Sequence, residues 1–380
     1  MGSQRTYSTE DIDLLEQLAV VKARRDFWTY RRYMNPKMIT GWWQRQVSME
    51  LQIFYEDLIA GRRPALAIQA PPQHGKSVQI TDFLAWVQGR HLAFPEKCGV
   101  FSHQIGLREV YGSFSDRLGV RANTFIQKQI ENPRFQRIFP GITLPGAKDK
   151  EQCNRDVIEF LKSDGAYFRN TTVGGSITGA GLDLGAVDDP LKGRAEANSP
   201  TVRQRAWNWF TDDLFTRFSD SAGLLIILTR WHVDDPLGRL QEMSREGDLK
   251  LNLKVLRYPA LATDEERAPG DLRQVGEPLF PELKSMSFLE QRRSIMLESS
   301  WESLYQQSPF IASGGIFPVD KFDIIDHPPV RGDILRTVRY WDKAGTKDGN
   351  GAETSGTLMH LLKNGRFVIQ DIKHGRWKAL

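Results

Sequence analysis

The sequence predicts an α/β protein wound around a mainly parallel sheet, and three observations carry that prediction. Short apolar runs of strand length alternate along the chain with longer helical stripes. The run Ala65 to Ile68 enters a proline-marked loop and then Gly75-Lys76-Ser77, after which Val78, Ile80, Phe83, Leu84 and Val87 recur at helical spacing. A third run, Gly223 to Leu228, is apolar throughout, as a central parallel strand buried on both faces must be.

Size and composition narrow the class. A chain of 380 residues suggests two or three domains. A formal charge of +4 permits a polyanionic partner without requiring one. Cys98 and Cys153 are the only cysteines and have no CxxC neighbour, which argues against a disulfide framework or zinc cluster. They read as small buried hydrophobes in a reducing compartment. No apolar run is long enough to span a membrane, and the polar N-terminus lacks a signal peptide's apolar core. The expected compartment is a cytosol.

Residues 1–62 read as an N-terminal helical segment. From Trp42 to Ala60 the residues Val47, Leu51, Phe54, Tyr55 and Leu58 form one stripe, and Gly61 closes the helix. Gln44 and Gln46 lie on that helix, just upstream of the proline-marked loop. In many nucleic-acid motors a glutamine so placed reads the adenine edge; the alternative is a solvated side chain.

Residues 63–235 read as the core. Strand, tight loop and helix are the setting of a phosphate-binding loop, formed here by Pro72, Gln73, His74, Gly75, Lys76 and Ser77. Backbone N–H groups at the helix start would face the anion, with the helix dipole behind them. Lys76 would reach the β/γ-phosphates of ATP, and the Ser77 hydroxyl would ligate Mg²⁺. Ala70 stands where the first glycine of such a loop is usual, so an ordinary loop is the competing reading.

Cys98 to Ser102 reads as a second strand, followed by a helix with Leu107, Val110, Phe114 and Leu118 on one face and Arg108 and Arg117 on the other. Val157–Leu161 and Ala166–Thr172 flank Asp164-Gly165, a hairpin pair. A glycine-rich loop, Gly174 to Gly181, then leads into Leu184 to Asp189. Nucleotide hydrolysis needs a carboxylate at a strand end to hold Mg²⁺, and often an adjacent acid to orient water. Asp188 and Asp189 suit those roles in that order. With Pro190 following, a capping turn is the competing reading. Its place after Gly75-Lys76-Ser77 in a strand–helix alternation favours the catalytic one.

Thr201 to Phe218 reads as a helix with a packed stripe of Trp207, Phe210, Leu214 and Phe218. The strand Gly223 to Leu228 ends in Thr229, whose hydroxyl could touch the γ-phosphate and relay its loss. His232 is equally consistent with function and structure. Residues 236–315 read as a lid or linker subdomain with a short helix at 237–243, a strand at 251–256 and a helix from Ser287 to Tyr305. Residues 316–332 read as a hinge. From 333 to 380, Leu335–Trp341, Gly356–Leu362 and Arg366–Ile372 read as three antiparallel strands, the last two joined at Asn364-Gly365. With Asp342 near the end of the first strand, they resemble the opening of a ribonuclease-H-like fold, which cleaves phosphodiesters with two metals.

Five stretches together resemble the large terminase subunit of tailed bacteriophages. They are PPQHGKS at 71–77, GGSITGAGLDLGAVDDPLK at 174–192, LTRWHVDDPLGRL at 228–240, LYQQSP at 304–309 and RYWDKAG at 339–345. The resemblance implies a P-loop ATPase of the ASCE type that threads double-stranded DNA into a procapsid. It also implies partners: the portal ring, the small terminase subunit, and copies of itself in a ring, expected to be pentameric, in the host cytoplasm with no membrane. By position, Lys76 and Ser77 take phosphate and Mg²⁺, Asp188 is the Walker B acid, Asp189 stands where many relatives have glutamate, and Thr229 lies in the coupling motif. Asp342 becomes the first acid of a nuclease site using Mg²⁺ or Mn²⁺.

Three departures qualify the transfer. Relatives usually carry an arginine where this loop has Gln73 and His74, so Arg108 or Arg117 is expected to reach a neighbouring subunit instead. Such a finger contributes about 10³–10⁵ in rate, or about 4–7 kcal/mol of barrier. Asp189 is one methylene shorter than glutamate. The later nuclease acids would lie beyond Leu380, so translocation without cutting is the expectation. A helicase or restriction-type translocase, and a non-catalytic nucleic-acid scaffold, are the competing functions.

Overall fold

The computed structural model describes residues 9–177, 181–264, 267–310, 322–342 and 354–375. The chain divides into two compact units, Met1–Ala312 and Ser313–Leu380.

The first unit is a seven-stranded sheet with helices on both faces. Its strands are β1 (Ala65–Gln69), β2 (Arg108–Ser113), β3 (Val157–Glu159), β4 (Tyr167–Thr172), β5 (Leu182–Asp188), β6 (Phe218–Leu228) and β7 (Leu253–Arg257), in the order β3-β4-β2-β5-β6-β1-β7. All neighbours run parallel except β3, which turns back on β4. This is the mainly parallel α/β architecture the sequence predicts. β6 lies between the loop-bearing β1 and the acid-bearing β5, so three strand ends meet at one edge.

Alternation along each strand divides the core in two. Leu66 and Ile68 of β1, Leu225 and Ile227 of β6, and Leu184 and Ala186 of β5 face one apolar cluster. Ala65, Ala67, Leu224, Ile226, Leu228 and Val187 face the other. The first cluster is covered by the end of α1 (Thr9–Ala23) at Ala23 and by α2 (Phe27–Met34), α3 (Trp42–Ile59), α4 (Lys76–Ala93), α5 (Asp116–Ile130) and α6 (Pro133–Ile138). Phe27, Phe83, Trp86 and Tyr55 pack there edge to face or tilted. Each such ring contributes about 1.5–3 kcal/mol by burial. After the short α7 (Gly193–Asn198), the second cluster is covered by the chain from α8 (Pro200–Asn208) through a π-helical turn, Trp209–Leu214, and by α9 (Pro236–Glu246). Gly112 on β2 must be glycine, because a Cβ there would sit 2.3 Å from the Trp209 ring.

Several expected elements differ. Cys98–Ser102 is not a strand: Gly99–Phe101 is a 3₁₀ turn capped by Cys98 and Ser102, and another such turn, Pro95–Lys97, precedes it. Gly99 has φ +58°, and a Cβ on it would strike the Ile59 carbonyl at 1.9 Å. The second strand is instead Arg108–Ser113, and its helix begins only at Asp116. The helix expected over 201–218 ends as the π turn, and Phe218 already belongs to β6. The helix expected over 287–305 is two, α10 (Met286–Ile295) and α11 (Glu298–Leu304), broken at Met296 by an extended backbone. Residue 236 marks no break in the sheet: β7 pairs with β1 from Ala65↔Leu253 to Gln69↔Arg257.

The second unit contains β8 (Ile334–Asp342), β9 (Thr354–Leu362) and β10 (Phe367–Gly375), an antiparallel meander in the order β10-β9-β8. Gly365, at φ +80°, turns β9 into β10. His360 is buried between Thr337 and Gln370. Three strands agree with the expected order but do not by themselves define a ribonuclease-H-like fold. Residues 343–345 of the RYWDKAG stretch lie outside the described residues, as do 178–180 of the glycine-rich loop.

Candidate active site

The loop between β1 and α4 owes its shape to two left-handed residues, Gln73 at φ +59° and Gly75 at φ +86°. A Cβ on Gly75 would meet nothing, so backbone conformation and not crowding selects glycine. Lys76 and Ser77 occupy the first turn of α4, where unpaired N–H groups and the helix dipole favour an anion. The His74 ring lies 2.9 Å from the Pro72 carbonyl through Nδ1. Burial pushes its pKa down to about 4, against the pull of that hydrogen bond and with help from Lys284, Lys76 and Arg273. His74 is therefore neutral at pH 7, with Nδ1–H donating to Pro72.

Lys76 is buried and its Nζ donates to the Thr229 hydroxyl at 2.5 Å, with Asp189 Oδ2 at 3.8 Å. Asp189 has φ +46°, a conformation aspartate tolerates better than most residues. That turn brings Oδ1 back to accept from the Thr229 backbone N–H at 2.6 Å. Asp189 thus links the ends of β5 and β6 and faces the lysine.

Asp188 is buried at the end of β5, opposite Ile227 on β6 and Ser113 on β2. Its Oδ2 accepts from the Tyr111 hydroxyl, and its Oδ1 has no hydrogen-bond partner among the described residues. Desolvation, then the Asp189 charge, push its pKa up to about 6, against Lys76 and the Tyr111 and Ser77 hydroxyls. Ser77 is close enough to exert that pull, yet makes no hydrogen bond of ordinary geometry to Oδ1. A buried carboxylate with one orphaned oxygen and a serine hydroxyl in its neighbourhood is a hard-oxygen donor set suited to Mg²⁺.

A family model described as "Terminase large subunit, T4likevirus-type, N-terminal" matches residues 67–324, more than half of the chain. The chain belongs to the large terminase subunits. Membership makes it an ATPase of the DNA-packaging machinery at the family's level. A solved structure of a mutant ATPase domain of the Thermus phage P74-26 large terminase is also similar, at 13% identity and a TM-score of 0.38. That match covers 63% of this chain and 87% of the other. No curated protein matches.

The fold of this terminase brings together Lys76, Ser77, Asp188, Asp189 and Thr229, and separates other predicted residues from them. A cavity of 540 Å³ borders the loop at His74, Gly75 and Val78, and Gln44 lines it. Gln44 is not solvated: its Oε1 caps Gly41 N–H at 2.5 Å, leaving its amide nitrogen for the cavity. Gln46 points elsewhere, against Gly270, because residues two apart on a helix leave by different faces.

Arg108 is likewise removed from the site. It starts β2, at the sheet edge opposite the loop, and grips the buried Asp183 through two guanidinium nitrogens. Arg117 lies exposed in the first turn of α5, three residues beyond Phe114, whose N–H meets the Asp189 carbonyl at 3.3 Å. His232 Nδ1 accepts from Asp234 N–H and serves the turn before α9. Arg230 is buried in an ion pair with Asp235. Asp342 ends β8 in the other unit, exposed, and no group of metal-ligating side chains gathers among the described residues.

Tyr111 is the residue that sequence reading misses. Its segment was expected to be helical, and its contact with Asp188 comes from pairing between strands far apart in sequence.

Proposed function

We propose that this chain hydrolyses ATP to drive double-stranded viral DNA into a procapsid. One observation carries the reading: in a chain of this family, Lys76, Asp188, Asp189 and Thr229 converge on one loop. In this reading Lys76 leaves Thr229 and Asp189 to neutralise the β/γ-phosphates, and the base occupies the cavity beside Gln44. Ser77 and Asp188 hold Mg²⁺, which when bound offsets phosphate charge as it develops. The Asp189 Oδ2, released from Lys76, orients the attacking water. Thr229 registers the loss of phosphate and transmits it through its backbone to Arg230 and, by a 3.1 Å hydrogen bond, to Gln307.

Arg117 is the better finger candidate, reaching the neighbour's nucleotide in a ring, proposed to be pentameric, on the portal. The small subunit and DNA complete the assembly in the host cytoplasm. DNA is held through its backbone by Lys and Arg, so DNA-stimulated hydrolysis should weaken with salt. Asp342 is proposed as the first nuclease acid; one acid does not make a two-metal site, and cutting by this chain is not part of the proposal.

The test is packaging of linear DNA by this chain with purified procapsids and small subunit, scored by protection from DNase. Protection that needs ATP and is lost in Lys76→Ala is the expected result. Strand separation without procapsids would favour a helicase, and bound ATP with no phosphate release would favour a scaffold.

A further inference from the structure

Asp188 has two carboxylate oxygens in opposite circumstances, and Tyr111 is the cause. Tyr111 sits on β2 opposite Ala186, two residues before Ser113, which faces Asp188. Side chains two apart on a strand share a face, so the phenol lies alongside the acid on the next strand. The ring is buried and packs against Phe168 at 6.3 Å between centroids. Its hydroxyl donates to Oδ2, while the buried Oδ1 accepts nothing among the described residues.

We propose that Tyr111 is a positioning residue for the metal–nucleotide complex: by fixing Oδ2 it leaves Oδ1 as the oxygen available to the metal. The inference rests on the reading of Asp188 as a metal ligand. Tyr111 touches neither phosphate nor metal and acts only through the carboxylate. Outer-shell partners of this kind typically change metal affinity or activity about 10–100-fold when removed. Removing the hydroxyl leaves a buried carboxylate with both oxygens unpartnered and free to rotate.

The experiment measures Mn²⁺ bound in the presence of a non-hydrolysable ATP analogue, by loss of the free-ion electron spin resonance signal. The parent, Tyr111→Phe and Asp188→Ala are compared. Tyr111→Phe should bind Mn²⁺ about 10-fold more weakly, while its affinity for the analogue in EDTA stays within about twofold. Hydrolysis by Tyr111→Phe should recover most of the parent's kcat when Mg²⁺ is raised; Lys76→Ala should not. If Asp188→Ala loses the metal and Tyr111→Phe keeps it at parental affinity, the Tyr111 proposal is overturned and the site reading stands. If Asp188→Ala retains the metal, the site reading itself fails. Should Tyr111→Phe not fold, a crystal structure of the parent with Mn²⁺ and the analogue decides: the metal on Oδ1 with the phenol still on Oδ2 is expected, and a metal on Oδ2 or a phenol turned away from Asp188 would overturn the proposal.

Discussion

Two strands in this chain end in an aspartate that sequence alone would nominate as a metal ligand, and their surroundings are opposite. Asp188 closes β5 with strands on both sides, a phenol on one oxygen, a lysine and second acid nearby, and almost no exposure. Asp342 closes β8, an outer strand of a three-stranded meander, and is exposed. An acid at a strand end is therefore only a position. What gives it chemistry is the set of neighbours that desolvate it, fix its rotamer and leave one oxygen free.

The comparison can be broken at several points. The largest effect is expected at the lysine. Lys76→Ala removes the cation that faces Asp189 and is proposed to meet the phosphate, and ATP turnover should fall by at least about 10²–10³-fold, the scale of losing one preorganised donor. Turnover near the parent's level in a phosphate-release assay would mean that the β5 end is no more catalytic than the β8 end.

Next comes the scaffold around the site. Arg230→Ala leaves Asp235 buried without its partner. It should cost about 3–5 kcal/mol of stability, read as a lower urea midpoint for the first unit. A loss of under about 1 kcal/mol, the scale of an exposed pair, would place this ion pair with surface pairs such as Arg245–Glu242.

Asp188 itself sharpens the contrast through pH. Its folded pKa is raised to about 6, so the folded state holds a proton that the unfolded chain has already released. Below about pH 4 the acid is protonated in both states and costs nothing. Between there and about pH 6 the folded protein loses stability as pH rises. Without nucleotide, Asp188→Asn should therefore be more stable than the parent at pH 7.5, by about 2–3 kcal/mol, and no more stable at pH 4. Equal urea midpoints at both pH values would contradict the burial argument. The smallest effect belongs to the other acid: Asp342→Asn should leave ATP turnover within about twofold of the parent, since any larger change would tie Asp342 to the hydrolysis site.

Much of this was legible because it is local. Gly75-Lys76-Ser77 follows an apolar strand by one short loop and opens a helix, so the strand–loop–helix setting could be read, and the phosphate role proposed, without knowing the rest of the sheet. The place of Asp188 and Asp189 at a buried strand end could be read because an apolar strand delivers them. What failed depended on spacing too short to decide or on pairing too distant to see. Leu107, Val110, Phe114 and Leu118 fit a helical face, yet Arg108–Ser113 is a strand whose burial comes from β4 and β5. Reading the segment as helix put Arg108 on a helix surface instead of at the start of β2, away from the loop, and hid Tyr111. The break between α10 and α11 was equally invisible, because the apolar residues on either side keep a helical rhythm.

The most direct measurement is a crystal structure of this chain with Mg²⁺ and a non-hydrolysable ATP analogue. Lys76 should have left the Thr229 hydroxyl for the phosphates, and the ion should lie between Ser77 and Oδ1 of Asp188, with Tyr111 still on Oδ2. A nucleotide bound elsewhere, with Lys76 still on Thr229 and Asp188 facing no metal, would contradict the account.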